Sequence, residues 1–423
     1  MKKKAAIRIS LLMLCLALGM PLVAEETNPS SDAAPAVGST AAQRPVEHWG
    51  SVNPENLPPM FSLNDFSGWL EQHRIRYYGW VDGGGYYAST GQGEMQLGFP
   101  TLNRFSDEPI IDGAWAIVER PLPAHSEGWA WGFRGDFYAG QDAALLRPYN
   151  SFGPQSARFG TDFRQAYISL HMPVITAGGL DLQLGRQNVP IGYETLMGPY
   201  RPLYSSTYYW IFHQVGSTAA FGTLHVNRQL DVLAGADLNY NTVFKLRGRA
   251  PSYLGKAIYS PSWSRKTTII GDVYTGPQPV PTLTGHLGTW QTLSELEVRR
   301  NWSRRVSQVV QGNYEWDFND PAEHKKTSVA QGAFSIVTVH LTRQTLDMNM
   351  RGEWMHDLHG IRTHFPGTFG ETTVGLNVMP VPWINIRPEV RGDFASSPVL
   401  GPLAERVRNK NQLTAGGDVI FKF

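Results

Sequence analysis

The feature that most constrains the fold of this chain is an alternation of apolar and polar residues that recurs from residue 74 to the last residue. In the final stretch, Leu413, Phe421 and Phe423 occupy one set of alternate positions, and Asp418 and Lys422 occupy the other. A period of two is that of a β-strand whose two faces meet different surroundings. The alternation therefore predicts strands with one apolar and one polar face.

Sixteen such stretches follow one another, and the breaks between them differ in length in a regular way. Breaks after even-numbered stretches are tight, whereas those after odd-numbered stretches run from about ten residues to nearly thirty. Short turns at one end, longer loops at the other and an even strand number are typical of transmembrane β-barrels. The predicted fold is all-β, an antiparallel up-and-down transmembrane β-barrel of about 16 strands. The predicted strands cover 74–88, 114–120, 128–140, 163–172, 180–187, 216–226, 230–240, 252–259, 266–276, 289–299, 306–318, 329–340, 345–357, 371–379, 383–394 and 413–423.

A soluble β-sandwich with one solvated face is the alternative fold, because it would show the same alternation in any single strand. It explains less well the combination of sixteen strands, aromatic residues at strand ends and a final Phe423. A lipid-facing strand can end at the membrane interface, where an aromatic ring is favourable. Closure of the last strand onto the first would also remove the unpaired edges that lipid does not tolerate.

The first residues, "MKKKAAIRISLLMLCLALGMPLVAEE", combine a basic start, an apolar run and a small residue at Ala24. This pattern predicts a signal peptide over residues 1–24, with an N-terminal membrane anchor as the alternative. Cys15 is the single cysteine of the sequence and lies inside the apolar run. Its removal with the signal peptide would leave a mature chain with neither a disulfide nor thiol chemistry.

The remaining chain divides into three predicted parts. Residues 25–60 are rich in Pro, Ser and Ala and are expected to form a linker. Residues 61–72 show apolar residues at helical spacing after Ser62, which predicts a short amphipathic helix. Residues 74–423 form the barrel.

Composition and motifs give little sign of other functions. The formal net charge of +1 argues against a nucleic-acid partner. The glycines of "DGGGYY" open no helix, so they do not form a phosphate loop. His356, His359 and His364 are close in sequence, and a metal site there is the weaker alternative to an ordinary outside loop. We expect no cofactor, no metal, no catalytic residue and no enzymatic activity.

Several stretches resemble a known family. "INIRPEVRGDF" and "NKNQLTAGGDVIFKF" resemble the end of the β-barrel porin family called OmpL-like, "LDLQLGRQNVPIGYE" is similar to its middle, and "LNDFSGWLEQHRIRYYGWVDGGGYY" to its entry into the first strand. The resemblance covers most of residues 60–423 and implies an outer-membrane channel. Family members more often have an acidic or aromatic residue where Gly392 and Gly417 stand, a departure that does not disturb the barrel prediction.

A sixteen-stranded barrel leaves an aqueous channel, and whatever narrows the channel decides what passes. The longest predicted loop is 188–215, and sixteen-stranded porins in general fold their third outside loop into the barrel. By this analogy we expect the loop to form a constriction. The alternative is a loop packed on the outer rim or on a neighbouring subunit. Its candidate constriction residues are Tyr193, Glu194, Tyr200, Arg201 and Tyr204.

The alternation also predicts charged residues on the lumen face of the wall. Groups of both signs would set a transverse field that favours polar solutes, whereas the alternative is a ladder of salt bridges that stiffens the wall. We expect a bulge at Pro388, because proline loses a ladder hydrogen bond, and a register slip there would move Glu389 and Arg391 out of the lumen. The candidate pore-lining residues are Arg134, Asp136, Arg351, Glu353, Arg387, Glu389 and Arg391.

The sequence thus predicts a porin of a Gram-negative outer membrane that allows passive diffusion of small hydrophilic solutes. Its expected partners are outer-membrane lipid and those solutes, with a homotrimer as a possible assembly. Two alternatives are a sugar-preferring porin and a structural or adhesive barrel that acts through its outside loops.

Overall fold

The protein is a closed barrel of sixteen antiparallel strands. The computed structural model describes residues 65–97, 103–123, 128–146, 148, 156, 158–211, 216–239, 241–246, 250–264, 266–278, 289–320, 326–342, 345–404 and 408–423. The predicted signal peptide and linker, residues 1–60, lie outside these described residues. In the described part of the chain, no helix has the length and apolar content needed to cross a lipid bilayer.

The described residues contain nineteen strands and three α-helices, numbered here in chain order, and three of the strands form a separate small sheet. The barrel strands are β1 (Arg76–Ala88), β4 (Ile110–Arg120), β5 (Ala130–Gly140), β6 (Gly160–Met172), β7 (Leu180–Gln187), β8 (Ser217–His225), β9 (Leu230–Asp237), β10 (Ser252–Tyr259), β11 (Thr267–Gln278), β12 (Thr289–Asn301), β13 (Val306–Asp320), β14 (Lys326–Thr342), β15 (Leu346–Asp357), β16 (Gly367–Val381), β17 (Ile384–Ala395) and β19 (Asn411–Lys422). The small sheet contains β2 (Gly93–Leu97), β3 (Phe105–Ser106) and β18 (Gly401–Pro402). The helices are α1 (Asp65–Gln72), α2 (Gln141–Leu145) and α3 (Tyr208–Ile211).

Closure of the barrel depends on the pairing of β1 with β19, and the last residue extends this pair. Trp80 stands opposite Lys422, and the backbones of Gly79 and Phe423 exchange two hydrogen bonds, at 2.9 and 3.0 Å. Glycine is required here, because a Cβ on Gly79 would lie 2.2 Å from the Trp115 carbonyl oxygen and 2.7 Å from the Phe423 ring. The terminal aromatic is therefore part of the closing seam.

The two faces of each strand differ as the alternation predicts. In β17, every second residue from Asn385 to Ala395 is buried, and the residues between them are exposed. The buried face carries Arg387, Glu389 and Arg391 and points into the barrel. The exposed face is apolar, as expected for a surface in contact with lipid.

Two expectations about the strands are wrong. The expected bulge at Pro388 is absent, since the pairing of β17 with β19 continues without a shift from Arg387 to Glu389. Gly417 stands opposite Pro388, and a Cβ on it would lie 2.3 Å from the Arg387 carbonyl oxygen and 2.8 Å from the Pro388 Cα, so the two strands approach closely here. The register of Glu389 and Arg391 therefore holds.

One loop expected to have about ten residues is also much shorter. Only residues 321–325 separate β13 from β14, because Asp320 still pairs with Lys326 and both strands extend well into the predicted loop. The sequence also gave no sign of the small sheet, since two of its strands are only two residues long.

Candidate functional site: the loop inside the barrel

Loop 188–216 joins β7 to β8 and is the predicted loop 188–215 extended by Gly216. Its residues 188–211 lie inside the barrel. Near its start, Lys256 on β10 donates a hydrogen bond from Nζ to the Pro190 carbonyl at 2.7 Å. The Tyr193 N–H donates to Gln311 Oε1 on β13 at 2.7 Å. The loop therefore leaves β7 and runs along the inner wall instead of over the rim.

The middle of the loop reaches the opposite side of the lumen. Met197 Sδ lies 4.0 Å from Arg134 Nη2 on β5. The Tyr200 ring meets the Trp80 ring of β1 edge-on, with 6.1 Å between their centres. Contacts with β10, β13, β1 and β5 mean that the loop crosses the barrel interior.

Arg387 on β17 holds the tip of the loop through its backbone. Its Nη1 lies 2.8 Å from the carbonyls of Gly198 and Arg201, and 3.3 Å from that of Leu203. Its other nitrogens pair with Asp418 on β19. One guanidinium thus links two barrel strands to one turn of the loop, a role suited to its fork of five donors.

Arg351 on β15 binds the next part of the loop in the same way. It donates to the Ser205 carbonyl at 2.6 Å and to the Ser205 hydroxyl at 2.8 Å. It also pairs with Glu194 of the loop at 3.1 Å and with Glu371 on β16. This buried cation is therefore compensated by two carboxylates and two further acceptors, as a desolvated charge requires.

Arg391 on β17 completes the set of three arginines. Its Nη1 donates to the Ser206 carbonyl at 2.6 Å, and its guanidinium pairs with Asp393 and lies 5.0 Å from the centre of the Tyr208 ring. The Tyr208 hydroxyl donates to Asp393 at 2.7 Å. Burial raises the pKa of Tyr208 well above its ordinary value, and Asp393 raises it further, so the phenol stays protonated and remains a donor.

Carboxylates on the same strands accept hydrogen bonds from the loop N–H groups. Both oxygens of Glu389 lie 3.1 Å from the Ser205 nitrogen. Glu353 accepts from the nitrogens of Tyr208 at 2.6 Å and Tyr209 at 3.0 Å. We call Arg351, Glu353, Arg387, Glu389 and Arg391 the loop-binding wall, because their side chains satisfy the backbone of the loop.

Both ends of the described stretch 188–211 are held by apolar packing inside the barrel. Val189 and Ile191 at its start and Tyr208 and Tyr209 in α3 are buried in one cluster with lumen-facing side chains of the wall. Because the ends are held by apolar contacts and the tip by charges, the loop is fixed along its described length. The wall and outer-loop members of the cluster are Ala219, Phe221, Leu233, Leu254, Tyr274, Leu293, Ala330, Met355, Phe369, Ala395, Val399 and Leu400.

A second group of charges lines β11, β12 and β13. We call Asp272, Glu295, Glu297, Glu315 and Asp317 the acid wall; all five are buried inside the barrel. Three of these carboxylates have a cationic side chain beside them. Lys256 lies 3.6 Å from Asp272, Arg299 pairs with Glu297, and Arg362 pairs with Glu315.

The structure brings most of the sequence-predicted site residues together. Tyr193, Glu194, Tyr200, Arg201 and Tyr204 are inside the barrel, and all five residues of the loop-binding wall contact the loop. Arg134 and Asp136 pair with each other on β5, and Arg134 also pairs with Glu119.

Sequence reasoning did not select the acid wall or its cations. Glu315 and Asp317 share the polar face of an alternating strand, so the signal was present for them. Lys256 could have been found in the same way from the alternation of β10. Arg362 carries no such signal, because it lies in a loop.

A sixteen-stranded barrel with a long loop folded into its lumen defines a porin-type channel of the bacterial outer membrane. The chain belongs to the family described as "Putative beta-barrel porin-2, OmpL-like", whose model matches residues 74–423. This finding confirms the family, fold class and localisation predicted from the sequence. A comparison with curated protein sequences found no match.

Solved structures of other porins share the fold at low sequence identity. The anion-selective porin from Comamonas acidovorans is 9% identical, with a TM-score of 0.56 and coverage of 82% of this chain and 99% of that one. The Salmonella typhi OmpF complex with daunomycin is 10% identical, with a TM-score of 0.53 and coverage of 82% and 97%. Pseudomonas putida OprB is 11% identical, with a TM-score of 0.51 and coverage of 85% and 96%. At such identities the likeness concerns the fold alone.

Proposed function

We propose that this protein is a porin through which small hydrophilic solutes diffuse passively, and that loop 188–215 forms the constriction of its channel. The observation that carries the proposal is the path of the loop, which crosses the lumen and is held there by β10, β13, β15 and β17. Irregular backbone at membrane depth is tolerated where it is buried in protein or lines a water-filled cavity. A fixed loop in a wide barrel narrows the aqueous path.

The charges predicted to line the constriction fall into two groups by their contacts. Arg351, Arg387 and Arg391 donate to loop carbonyls, so their proposed contribution is to position the constriction. Arg134 is a better candidate for contact with solute, because its side chain keeps 14% exposure between Glu119 and Asp136. Groups of both signs favour polar solutes over apolar ones.

The first test is the single-channel conductance of the refolded protein in a planar bilayer. We expect discrete open steps. Folded and inserted protein that gives no steps would contradict the channel and favour a structural or adhesive barrel acting through its outside loops.

The constriction itself is tested by a matched pair of tyrosine substitutions. Tyr193 packs inside the barrel against Val309, Phe334 and Ile336, whereas Tyr314 on β13 is exposed on the outer face. Tyr193→Ala is expected to raise the conductance and the size limit for sugars in liposome swelling, while Tyr314→Ala leaves both unchanged. Equal effects would show that loop 188–215 does not set the narrow zone.

Sugar preference is the second candidate, and one feature bears on it. Trp80, Trp115 and Tyr138 stack across β1, β4 and β5, with ring centres 5.2 and 4.5 Å apart. These rings are covered by Leu196 and Met197 of the loop, so their faces are not offered to a solute. Block of ion current by oligosaccharides would favour this candidate over the first.

The fold and family describe a channel without turnover, and we propose that the protein has no enzymatic activity. Lipid hydrolysis by the pure protein in micelles would contradict this. A homotrimer in outer-membrane lipid remains our prediction, and the molecular mass of the native protein in detergent, corrected for bound detergent, tests it.

A further inference from the structure

A second outside loop, 358–366 between β15 and β16, also reaches the acid wall. Its turn is organised by Asp357 at the end of β15. One oxygen of Asp357 accepts from the Ile361 N–H at 2.9 Å, and the other accepts from the N–H groups of Arg362 at 2.9 Å and Thr363 at 2.8 Å. Thr363 adds a hydroxyl hydrogen bond to the same oxygen at 3.0 Å. Residues 361–363 are therefore fixed relative to the barrel.

This turn holds Arg362 with its side chain inside the protein. Arg362 is only 5% exposed, although it belongs to an outside loop. Its Nε donates to Glu315 Oε2 on β13, and its guanidinium lies 5.4 Å from the centre of the Tyr209 ring in α3. One side chain thus joins the outer loop, the acid wall and helix α3 of loop 188–216.

The surroundings of Arg362 are acidic. Glu315 accepts a second hydrogen bond from Gln291 on β12. Asp317 and Glu295 lie close enough to interact electrostatically with the guanidinium. The other cations near this wall pair elsewhere: Lys256 lies beside Asp272, and Arg299 pairs with Glu297. Arg362 is therefore the ion-pair partner of Glu315 among the described residues.

We propose that Arg362 is a selectivity-determining residue of this channel, which masks Glu315 and so limits the preference of the pore for cations. The proposal rests on the proposed channel function. The arginines of the loop-binding wall do not supply this masking, because they pair with carboxylates on β16, β17 and β19 and with loop carbonyls. In a narrow aqueous path, the removal of one fixed charge changes the local concentration of counter-ions in a predictable direction.

The test is the reversal potential of the refolded full chain in a planar bilayer under a KCl gradient. Arg362→Gln is expected to raise the ratio of K⁺ to Cl⁻ permeability by about threefold, since it unmasks one carboxylate at close range. Arg362→Lys keeps the charge and should stay near the wild-type ratio. The matched control is Arg408→Gln, because Arg408 also stacks on an aromatic ring of the outer loops, 5.6 Å from the centre of Phe365.

Further variants distinguish a role of Arg362 in ion selectivity from a purely structural role. Adding Glu315→Gln to Arg362→Gln should return the ratio to near the wild-type value, and Glu315→Gln alone should lower it. If Arg362→Gln fails to fold, Glu315→Gln alone and Arg362→Lys still decide the question. An unchanged ratio in Glu315→Gln, or a change of conductance without a change of ratio in Arg362→Gln, would overturn the inference. Absence of any channel in the wild type would instead refute the proposed function.

Discussion

The loop-binding wall and the acid wall carry charges in the same alternating pattern but use them differently. On the loop-binding wall, Arg387 donates to loop carbonyls and Glu353 accepts from loop N–H groups. On the acid wall, Glu297 and Glu315 pair with the side chains of Arg299 and Arg362. The comparison suggests two uses for a charge on the lumen face of a strand: it can hold the loop in place, or it can contribute to the electrostatic field in the pore.

The physical reason for the difference is the backbone of loop 188–216. Every buried N–H and C=O group needs a partner, and a loop without regular structure cannot supply enough of its own. Where the loop backbone lies against the loop-binding wall, wall side chains take the place of water. Along the acid wall, cationic side chains offset the burial of the carboxylates.

The largest expected effect is that of Arg351→Ala on the loop-binding wall. The substitution leaves Glu194 and Glu371 buried without their guanidinium, so the free energy of unfolding should fall by about 3–5 kcal/mol. Urea unfolding of the refolded protein in micelles, followed by tryptophan fluorescence, measures it. Arg304→Ala in the exposed turn between β12 and β13 is the control and should change stability by no more than about 0.5 kcal/mol. Equal losses would mean that the loop-binding wall does not hold the loop.

An intermediate effect is expected at Asp142 in α2, a buried carboxyl near Arg201 of the loop. Burial raises the pKa of Asp142 well above its ordinary value and Asp82 raises it further, while Arg201 acts in the opposite direction. The folded protein therefore binds a proton over a pH range in which the unfolded chain has lost it, so stability falls as pH rises through this range.

Asp142→Asn should remove this dependence. We expect the variant to be more stable than the wild type by about 1 kcal/mol at neutral pH and equally stable at pH below the ordinary range of an aspartate. Unfolding midpoints measured over a pH series check this. Parallel curves for variant and wild type would show that Asp142 ionises normally, as a carboxylate with a sufficient counter-ion would.

The smallest expected effect is that of Arg299→Gln beside the acid wall. Arg299 pairs with Glu297 and lies 5.3 Å from the centre of the Tyr193 ring. The ratio of K⁺ to Cl⁻ permeability should rise by about twofold, because a carboxylate loses its partner cation. The loss of stability should be smaller than for Arg351→Ala. A large loss of stability with an unchanged reversal potential would erase the distinction between the two walls.

The strands could be predicted closely because their signal is local. The predicted ranges 180–187 and 252–259 coincide with β7 and β10, and the alternation assigned the lumen face of β17 correctly. The local signal failed where pairing depended on a neighbour. At Pro388 the pairing with Gly417 on the neighbouring strand β19 continues without the expected bulge.

The sequence by itself determined a barrel, its strand number, the two faces of its strands and a long loop with tyrosines and charges. These features follow from a period of two and from spacing along the chain. Only the tertiary structure decided which charge serves which purpose. Arg351 meets Glu194 across 157 positions, and Arg362 meets Glu315 across 47. Whether a buried charge holds a loop or sets a field depends on its partners, and the closure of the barrel brings those partners together.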